Sequence, residues 1–562
     1  MPVSPDPSFF KARSVEEWKA SRRDSPEDVV EAKKLLLQIR DGADVFKTIR
    51  KNPLPNRGNI SKYTLVLAYH QMVEAGEISE DPALLAKIRM KPSRTLSGVT
   101  TVTVLTAPWP CPGNCIFCPT DERMPKSYLP DEPGAARAFQ NNFDPFLQVS
   151  SRIQSYEAVG HPTEKIELLI LGGSWTAYPW EYQQHFIQRC FDAMNECESE
   201  SLVQAQHINE SASHRNVGLV VETRPDLLDA ETLRKLRLLG VTKLQLGIQS
   251  MNDEILQLNR RSLTMKEALE RVALARAAGF KIVLHWMPNL LGATPESDRE
   301  DFRHFWQPPE EGYGYCPDEL KIYPTQLLRG TDLYHEWEMG NYEPYDMETL
   351  VQLLADIKPT IQPYCRVNRV IRDIPSHHVA AGNTRSSLRM DVQETMKANG
   401  TVCHCIRCRE IRGQKVQPDE LSLQDFRYHA AYADEHFLQY VTDDDHLAGY
   451  LRLSLPDDPQ NLPIEELRGC AIIREVHIYG QSLPVGTEQS GAAQHIGLGS
   501  SLIEEACKIA AGHGFDRIAV IAAIGTRQYY ESRGFYRGQY YLFRDIQETY
   551  REQTSDTEKM ES

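Results

Sequence analysis

Cys111, Cys115 and Cys118 form a CxxxCxxC triplet inside the stretch 110–119. Three thiolates at this spacing can hold three irons of a [4Fe-4S] cube and leave the fourth iron open. An open iron can bind the amino and carboxylate groups of S-adenosylmethionine, and a reduced cluster can cleave the sulfonium to a 5′-deoxyadenosyl radical. The protein then supplies thiolates, burial and orientation. The apolar Ile116 and Phe117 would screen the cube from water. A structural zinc site is the alternative, but zinc usually takes four closed ligands, often as two separated pairs. No fourth Cys or His lies near this triplet in the chain.

A cluster loop of this kind needs a strand to present it, and 100–106 reads as that strand. Strands and helices then alternate. Strands are expected at 166–171, 217–221, 243–247, 281–285 and 319–322, with helices at 179–196, 229–239 and 264–278. Such βα repetition implies a parallel sheet, open or closed into a barrel, with chemistry at the C-terminal strand ends. Residues 1–95 are expected to be helical, with amphipathic spacing at 28–37 and 64–75. Beyond about 415 the pattern changes to strands at 437–440, 447–455 and 471–479, a helix at 499–511, a strand at 517–524, a helix at 526–532 and a last strand at 536–543. This is a separate α+β unit. The predicted division is 1–95, 96–360, a basic bridge at 361–415, and 416–562 with a polar, acidic tail.

Several strand ends carry chemistry. Gly172, Gly173 and Ser174 follow the second strand, and glycines there let backbone amides approach a ligand such as S-adenosylmethionine. Glu222 and Arg224 end the third strand. The first can accept from a ribose or ammonium, and the second can fork onto a carboxylate, unless the two make a surface ion pair. Gln249 after the fourth strand is placed at the same mouth. In the C-terminal unit, Gln494, Gly497, Leu498, Gly499 and Ser500 join a strand-rich region to a helix, where free amides and the positive dipole end bind pyrophosphate. This [Q/R]xxGx[G/A] loop, with the preceding Glu475, Val476, His477 and Ile478 and the following Tyr529 and Tyr530, resembles the acetyl-CoA site of GNAT acyltransferases. In that family a tyrosine here often protonates the leaving thiolate; packing is the alternative role for either ring. Cys403, Cys405 and Cys408 form CxCxxC, which suits zinc, with His404, His377 and His378 as candidate fourth ligands.

Six of the twelve cysteines sit in these two triplets. Clusters of this kind read as metal sites in a reducing compartment. The start of the chain lacks a basic-then-apolar leader and no apolar run reaches a membrane span, so a cytoplasmic protein without membrane contact is expected. Net charge is −16, yet residues 45–98 carry +5 and residues 366–415 carry +6. Two basic patches on an acidic body suit a polyanion held at one face. Lys87, Arg89, Lys91 and Arg94 are the candidate contacts, with a merely solvated face as the alternative.

A cysteine-triplet domain joined to an acetyl-CoA domain resembles the Elongator catalytic subunit family in its prokaryotic stand-alone form. The resemblance runs from about residue 45 to about 545 and includes the segments 91–98, 222–226, 320–325, 369–375 and 405–410. Thr120 and Asp121 stand where many relatives have Gly-Gly, and Ile496 and Leu498 replace Gln and Phe. The resemblance implies an α/β fold: a radical S-adenosylmethionine partial barrel packed on a GNAT-type domain, with a helical, tRNA-binding N-terminal region. It implies a tRNA carboxymethyluridine synthase. A SAM-derived radical takes hydrogen from the methyl of acetyl-CoA, the carbon adds to C5 of the wobble uridine in the anticodon stem-loop, and the thioester is hydrolysed. It assigns Lys165 as an acetyl-CoA contact in the barrel, and Glu475–Ile478, Leu498–Ser500 and Tyr530 as contacts in the other half. Cofactors would be the [4Fe-4S] cluster, S-adenosylmethionine, acetyl-CoA and Zn2+. The chain would act as a monomer or homodimer without other Elongator subunits. Lysine acetylation by the GNAT unit alone, or a tRNA-binding scaffold, would leave the intact thiolates without a purpose.

Overall fold

The structure is a computed structural model and describes residues 25–54, 59–92, 95, 97–307, 314–412, 414, 416–479 and 497–546. Arg94, Gln494 and the acidic tail from 547 lie outside the described residues.

Seven strands form one parallel sheet in the order β1 (Thr100–Leu105), β2 (Lys165–Leu171), β3 (Arg215–Thr223), β4 (Lys243–Gln249), β5 (Lys281–Trp286), β6 (Glu319–Ile322) and β8 (Arg366–Arg369). β7 (Leu327–Leu328) and β9 (Val379–Ala381) form a small separate pair. Helices such as Trp180–Asn195, Ala230–Leu238 and Met265–Ala277 return the chain between strands, as parallel pairing requires. Their apolar faces bury Phe186, Phe191, Leu233, Leu236 and Val272 against Leu168, Leu219, Leu244 and Ile282. The other face of the sheet is lined by Glu167, Lys243, Gln245, Lys281, Glu319, Lys321 and Asn368, which border a cavity. An inward polar residue on strand after strand makes this an open lumen rather than a filled core.

β8 lies in the basic bridge and completes the barrel sheet beside β6. Helices Pro133–Gln140 and Pro145–Glu157, which periodicity did not bring out, fill the interval between β1 and β2. The second starts at an Asp144 cap followed by proline. In the N-terminal region, helices Pro26–Arg40 and Lys62–Glu74 share a core of Leu35, Leu36, Leu65 and Val66.

The second sheet runs β10 (Ser422–His429), β11 (Ala433–Val441), β12 (Leu447–Pro456), β13 (Cys470–Ile478), β14 (Arg517–Val520), β16 (Leu542–Asp545) and β15 (Tyr536–Arg537). Two expected strands are corrected. The strand expected at 517–524 ends at Val520, because Ala522 turns back to bond Val520 O at 3.1 Å and a 3-10 turn follows. The strand expected at 536–543 is a hairpin closed by Gly538 N donating to Tyr541 O at 2.8 Å. β13 and β14 pair only over Cys470–Ile473 against Arg517–Val520. Beyond that the pairing stops, and Glu475, Val476 and His477 line the cavity. No helix among the described residues is long and apolar enough to cross a membrane.

Candidate functional site at the junction of the two sheets

The cysteine loop leaves β1 at its C-terminal end. Ile116 N reaches Asn259 O at 3.4 Å and Leu333 N reaches Ile116 O at 3.0 Å, so the loop is anchored on both sides. Ile116 and Phe117 are buried beside Cys115 and Cys118. Cys111 Sγ is 3.7 Å from Ser174 Oγ. Arg261 Nη1 donates to Cys115 Sγ at 3.7 Å. A hydrogen bond from Cys118 holds the Cys115 thiol below its ordinary range, against burial, and Arg261 and Arg224 add to it. Three thiols beside two guanidiniums form a donor set suited to an anionic iron–sulfur cluster.

Gly172 and Gly173 have φ of 146° and 87°. A Cβ on Gly172 would collide with Thr106 Oγ1, so only glycine fits between the ends of β1 and β2. Glu222 accepts from Tyr128 OH at 2.7 Å, and His285 Nδ1 lies 3.8 Å from it. Gln249, in a left-handed conformation with φ 73°, has a buried Oε1 without a hydrogen-bond partner. Cys118, Glu222 and Gln249 all line one cavity of about 1020 Å³. Arg224 is buried and its fork closes on Asp226 at 2.9 Å rather than pairing with Glu222.

The same cavity runs down the lumen to Glu475, Val476, His477 and Tyr530 of the second sheet unit. Glu475 accepts from Tyr450 OH and Arg452 Nε at 2.9 Å each and pairs with Lys281 of β5. Burial pushes its carboxyl up, but Lys281 and Arg452 outweigh this and hold it at about 2. His477 Nε2 is buried and unpartnered, and burial lowers the ring to about 3. Gly497, φ 78°, caps helix Leu498–Gly512. A Cβ on Gly499 would strike Tyr529 OH, so the first helical turn is bare backbone facing that ring. Ser500 Oγ accepts from Arg533 Nε at 2.9 Å, and Arg533 stacks 3.6 Å over the Tyr529 ring. Tyr529 therefore braces the helix start, while Tyr530 packs in the apolar core beside Phe535 and also lines the cavity, and burial raises its hydroxyl far above the usual phenol range.

Lys165 opens β2, six residues before Leu171, at the end of the strand remote from the cysteines. Its register partner is Arg215, and Gly525 packs against Arg215 Cβ and the Asn216 backbone. It thus stands on the side of the second sheet's unit, not of the cysteine loop. Burial lowers its amine.

Cys403, Cys405 and Cys408 have Sγ atoms all within 4.8 Å of one another. Zinc with bonds of ~2.3 Å to sulfur needs tetrahedral donors about 3.8 Å apart, so one ion fits. None of the three histidines offered as fourth ligand joins them: His404 is exposed with Nδ1 3.9 Å from Asp445, and His377 and His378 group with Asp131. Of the basic cluster, Lys87 and Lys91 are exposed. Arg89 instead donates to Gly160 O at 2.8 Å and Thr95 Oγ1 at 3.2 Å, tying the N-terminal helices to the barrel.

Residues not expected from sequence complete the site. Arg261, Tyr128, His285 and Arg372 surround the mouth. Lys321 stands inside the lumen, where burial lowers its amine to about 8. Their signal was weak, because each is one polar residue in an otherwise apolar strand or an unremarkable loop.

The Radical SAM superfamily model matches residues 111–305, the Radical SAM C-terminal domain 317–398, and the acetyltransferase (GNAT) family 407–535. A tRNA uridine(34) acetyltransferase of Dehalococcoides mccartyi is 40% identical over 79% of this chain and 97% of its own length. Human Elongator complex protein 3 is 37% identical over 80% of this chain and 85% of its own. The solved archaeal Methanocaldococcus infernus Elp3 with an N-terminal deletion superposes with a TM-score of 0.70 at 34% identity, covering 80% of this chain and all of that one.

Proposed function

Since the chain belongs to the family of tRNA uridine(34) acetyltransferases and Elongator complex protein 3, we propose that it modifies the wobble uridine of tRNA, installing a carboxymethyl group on C5 from acetyl-CoA. The observation that carries this reading is the continuous lumen from Cys118, Glu222 and Gln249 to Glu475, His477 and Tyr530. A lysine acetyltransferase has no use for an opening into a cysteine-bearing barrel. An enzyme joining an acetyl carbon to a base requires one.

In this reading Cys111, Cys115 and Cys118 hold a [4Fe-4S] cluster, which when bound supplies reductive cleavage of S-adenosylmethionine. Gly172, Gly173 and Ser174 present backbone to the methionyl part. Glu222, Gln249 and Arg224 orient the nucleoside and amino acid ends, Arg224 by exchanging Asp226 for the ligand or by fixing the cysteine loop. Gly497, Leu498, Gly499 and Ser500, with Gln494, receive the pyrophosphate of acetyl-CoA. The backbone of Glu475–Ile478 lies along the pantetheine in the gap beside β14, and Lys165 contacts the cofactor from the barrel floor. The Tyr530 hydroxyl, kept protonated by burial, donates to the thioester oxygen or the departing thiolate, and Tyr529 holds the helix start. Cys403, Cys405 and Cys408 carry a zinc ion that stiffens the bridge. Lys87, Lys91 and Arg94 meet phosphates of the anticodon stem-loop, and Arg89 fixes that face. The enzyme works in the cytoplasm as a monomer or homodimer without other Elongator subunits.

Anaerobic incubation of the reconstituted protein with tRNA, followed by nucleoside mass spectrometry, tests the reading. Carboxymethyluridine should require both S-adenosylmethionine and acetyl-CoA, and Cys115→Ser should abolish it in a folded protein. Product formed by that variant would sink the assignment.

A further inference from the structure

Asp131, His377 and His378 offer donor atoms that all lie within 4.8 Å of one another. They come from two segments some 250 positions apart, so the grouping is made by the fold. His377 Nε2 is 2.7 Å from Asp131 Oδ2, and His378 Nε2 is 2.7 Å from Oδ1 of the same carboxylate. The two rings are 4.2 Å apart, tilted by 41°. We infer that Asp131, His377 and His378 bind a divalent transition-metal ion of the zinc class, separate from both cysteine triplets, which clamps the basic bridge to the segment that follows the cysteine loop.

The chemistry favours an ion over a plain hydrogen-bonded trio. Imidazole nitrogens and a carboxylate oxygen are the ligands zinc takes from protein, at ~2.0–2.2 Å. Donors on such an ion stand about 3.0–3.5 Å apart, so each 2.7 Å pair need open by less than 1 Å. One ion between the two rings, whose centroids are 4.2 Å apart, would be shared by both nitrogens and the acid. His377 is largely exposed and His378 and Asp131 are partly so, which leaves an entry path and room for water as a further ligand.

Both supports are built. His377 and His378 sit on a 3-10 turn in which His378 N donates to Pro375 O at 3.0 Å, and β9 follows directly to pair with β7. Asp131 lies in the turn where Glu132 N reaches Leu129 O at 3.1 Å. Glu132 pairs with Arg372 at 3.1 Å, and Arg372 Nη1 donates to Ser127 Oγ at 2.8 Å. An ion here would add a second tie, beside the Glu132–Arg372 pair, between the bridge and the segment 119–132 that follows the cysteine loop.

The test is equilibrium dialysis of the full-length, cluster-reconstituted protein against Zn2+, with zinc counted per chain by mass spectrometry. Wild type should hold one more zinc equivalent than His377→Ala/His378→Ala, while zinc on Cys403, Cys405 and Cys408 is retained by both. Asp131→Asn keeps the side-chain shape and should lose the same equivalent, so a folding defect in the double variant leaves the question decidable. Zinc should also slow proteolysis at 119–132 and 370–381 in wild type but not in either variant. Equal zinc content in all three proteins would overturn the proposal.

Discussion

Arg474 and Asp318 meet across the junction of the two halves in a fork of two hydrogen bonds, 2.7 and 2.8 Å long. Arg452 and Arg276 stand at 3.4 and 3.7 Å from the same carboxylate, and Glu435 takes the other side of Arg474 at 2.7 Å. All five groups are buried. Asp318 precedes β6 and also accepts from Ile282 N at 2.8 Å, while Arg474 lies on β13 where its pairing with β14 stops. The fork therefore sets where the gap between β13 and β14 opens relative to the barrel lumen.

Removing the carboxylate should be costly, because three buried guanidiniums lose their shared partner. Asp318→Ala should destabilise the protein by about 3–5 kcal/mol, the cost of breaking a buried pair from one side. Thermal unfolding monitored by circular dichroism checks this. A melting temperature within a degree of wild type would show that the junction is held by apolar packing alone.

Acid should loosen the same junction. The Glu475 carboxyl has an ordinary value of 4.5 and is held at about 2 in the fold, since Lys281 and Arg452 outweigh its burial. Its contribution is fully present above pH 4.5 and is lost as pH falls from 4.5 toward 2, because the unfolded chain takes the proton first. Asp318, also held below its ordinary range by its arginines against burial, acts in the same direction. Urea midpoints measured at intervals between pH 6 and pH 3 should fall, and Glu475→Gln should flatten that fall. Identical pH profiles would contradict the pairing.

The two βα and α+β rhythms were legible because parallel strands such as Lys281–Trp286 are apolar runs between amphipathic helices. The cysteine loop, Gly172–Gly173 and the Gly497–Gly499 turn were legible because few residue types fit those places. β10 was not, since Ser422–His429 is a polar, largely exposed edge strand without alternation. The lumen was not either: Lys243, Glu319 and Lys321 look like isolated charges until the sheet aligns them. Arg224 and Arg89 carried the right charge but are held by Asp226 and Gly160, which spacing along the chain cannot reveal.

Of the basic N-terminal cluster, the two exposed lysines should behave as phosphate contacts. Lys87→Ala/Lys91→Ala should weaken tRNA binding and reduce the log–log salt slope by about 1.4–1.8, from ~0.7–0.9 per contact. Arg89→Ala should lower stability more than it changes that slope. Filter binding across a salt series separates the two. An unchanged slope in the lysine variant would make this a solvated face.

Tyr530→Phe keeps the packed ring and removes the hydroxyl of a residue that lines the cavity. It should slow tRNA-dependent acetyl-CoA hydrolysis on the order of a hundredfold, with S-adenosylmethionine cleavage and tRNA binding retained. Tyr529→Phe should change hydrolysis little and weaken acetyl-CoA binding, since its hydroxyl packs on the helix start. The reverse ranking would exchange the two roles.

The two ends of one lumen should act on the same acetyl group. Acetyl-CoA deuterated at its methyl, supplied with unlabelled S-adenosylmethionine and tRNA under anaerobic conditions, tests it directly. Deuterium should appear in 5′-deoxyadenosine by mass spectrometry, with the remaining label in the modified uridine. Unlabelled 5′-deoxyadenosine alongside acetylated tRNA or acetylated lysine would contradict the account.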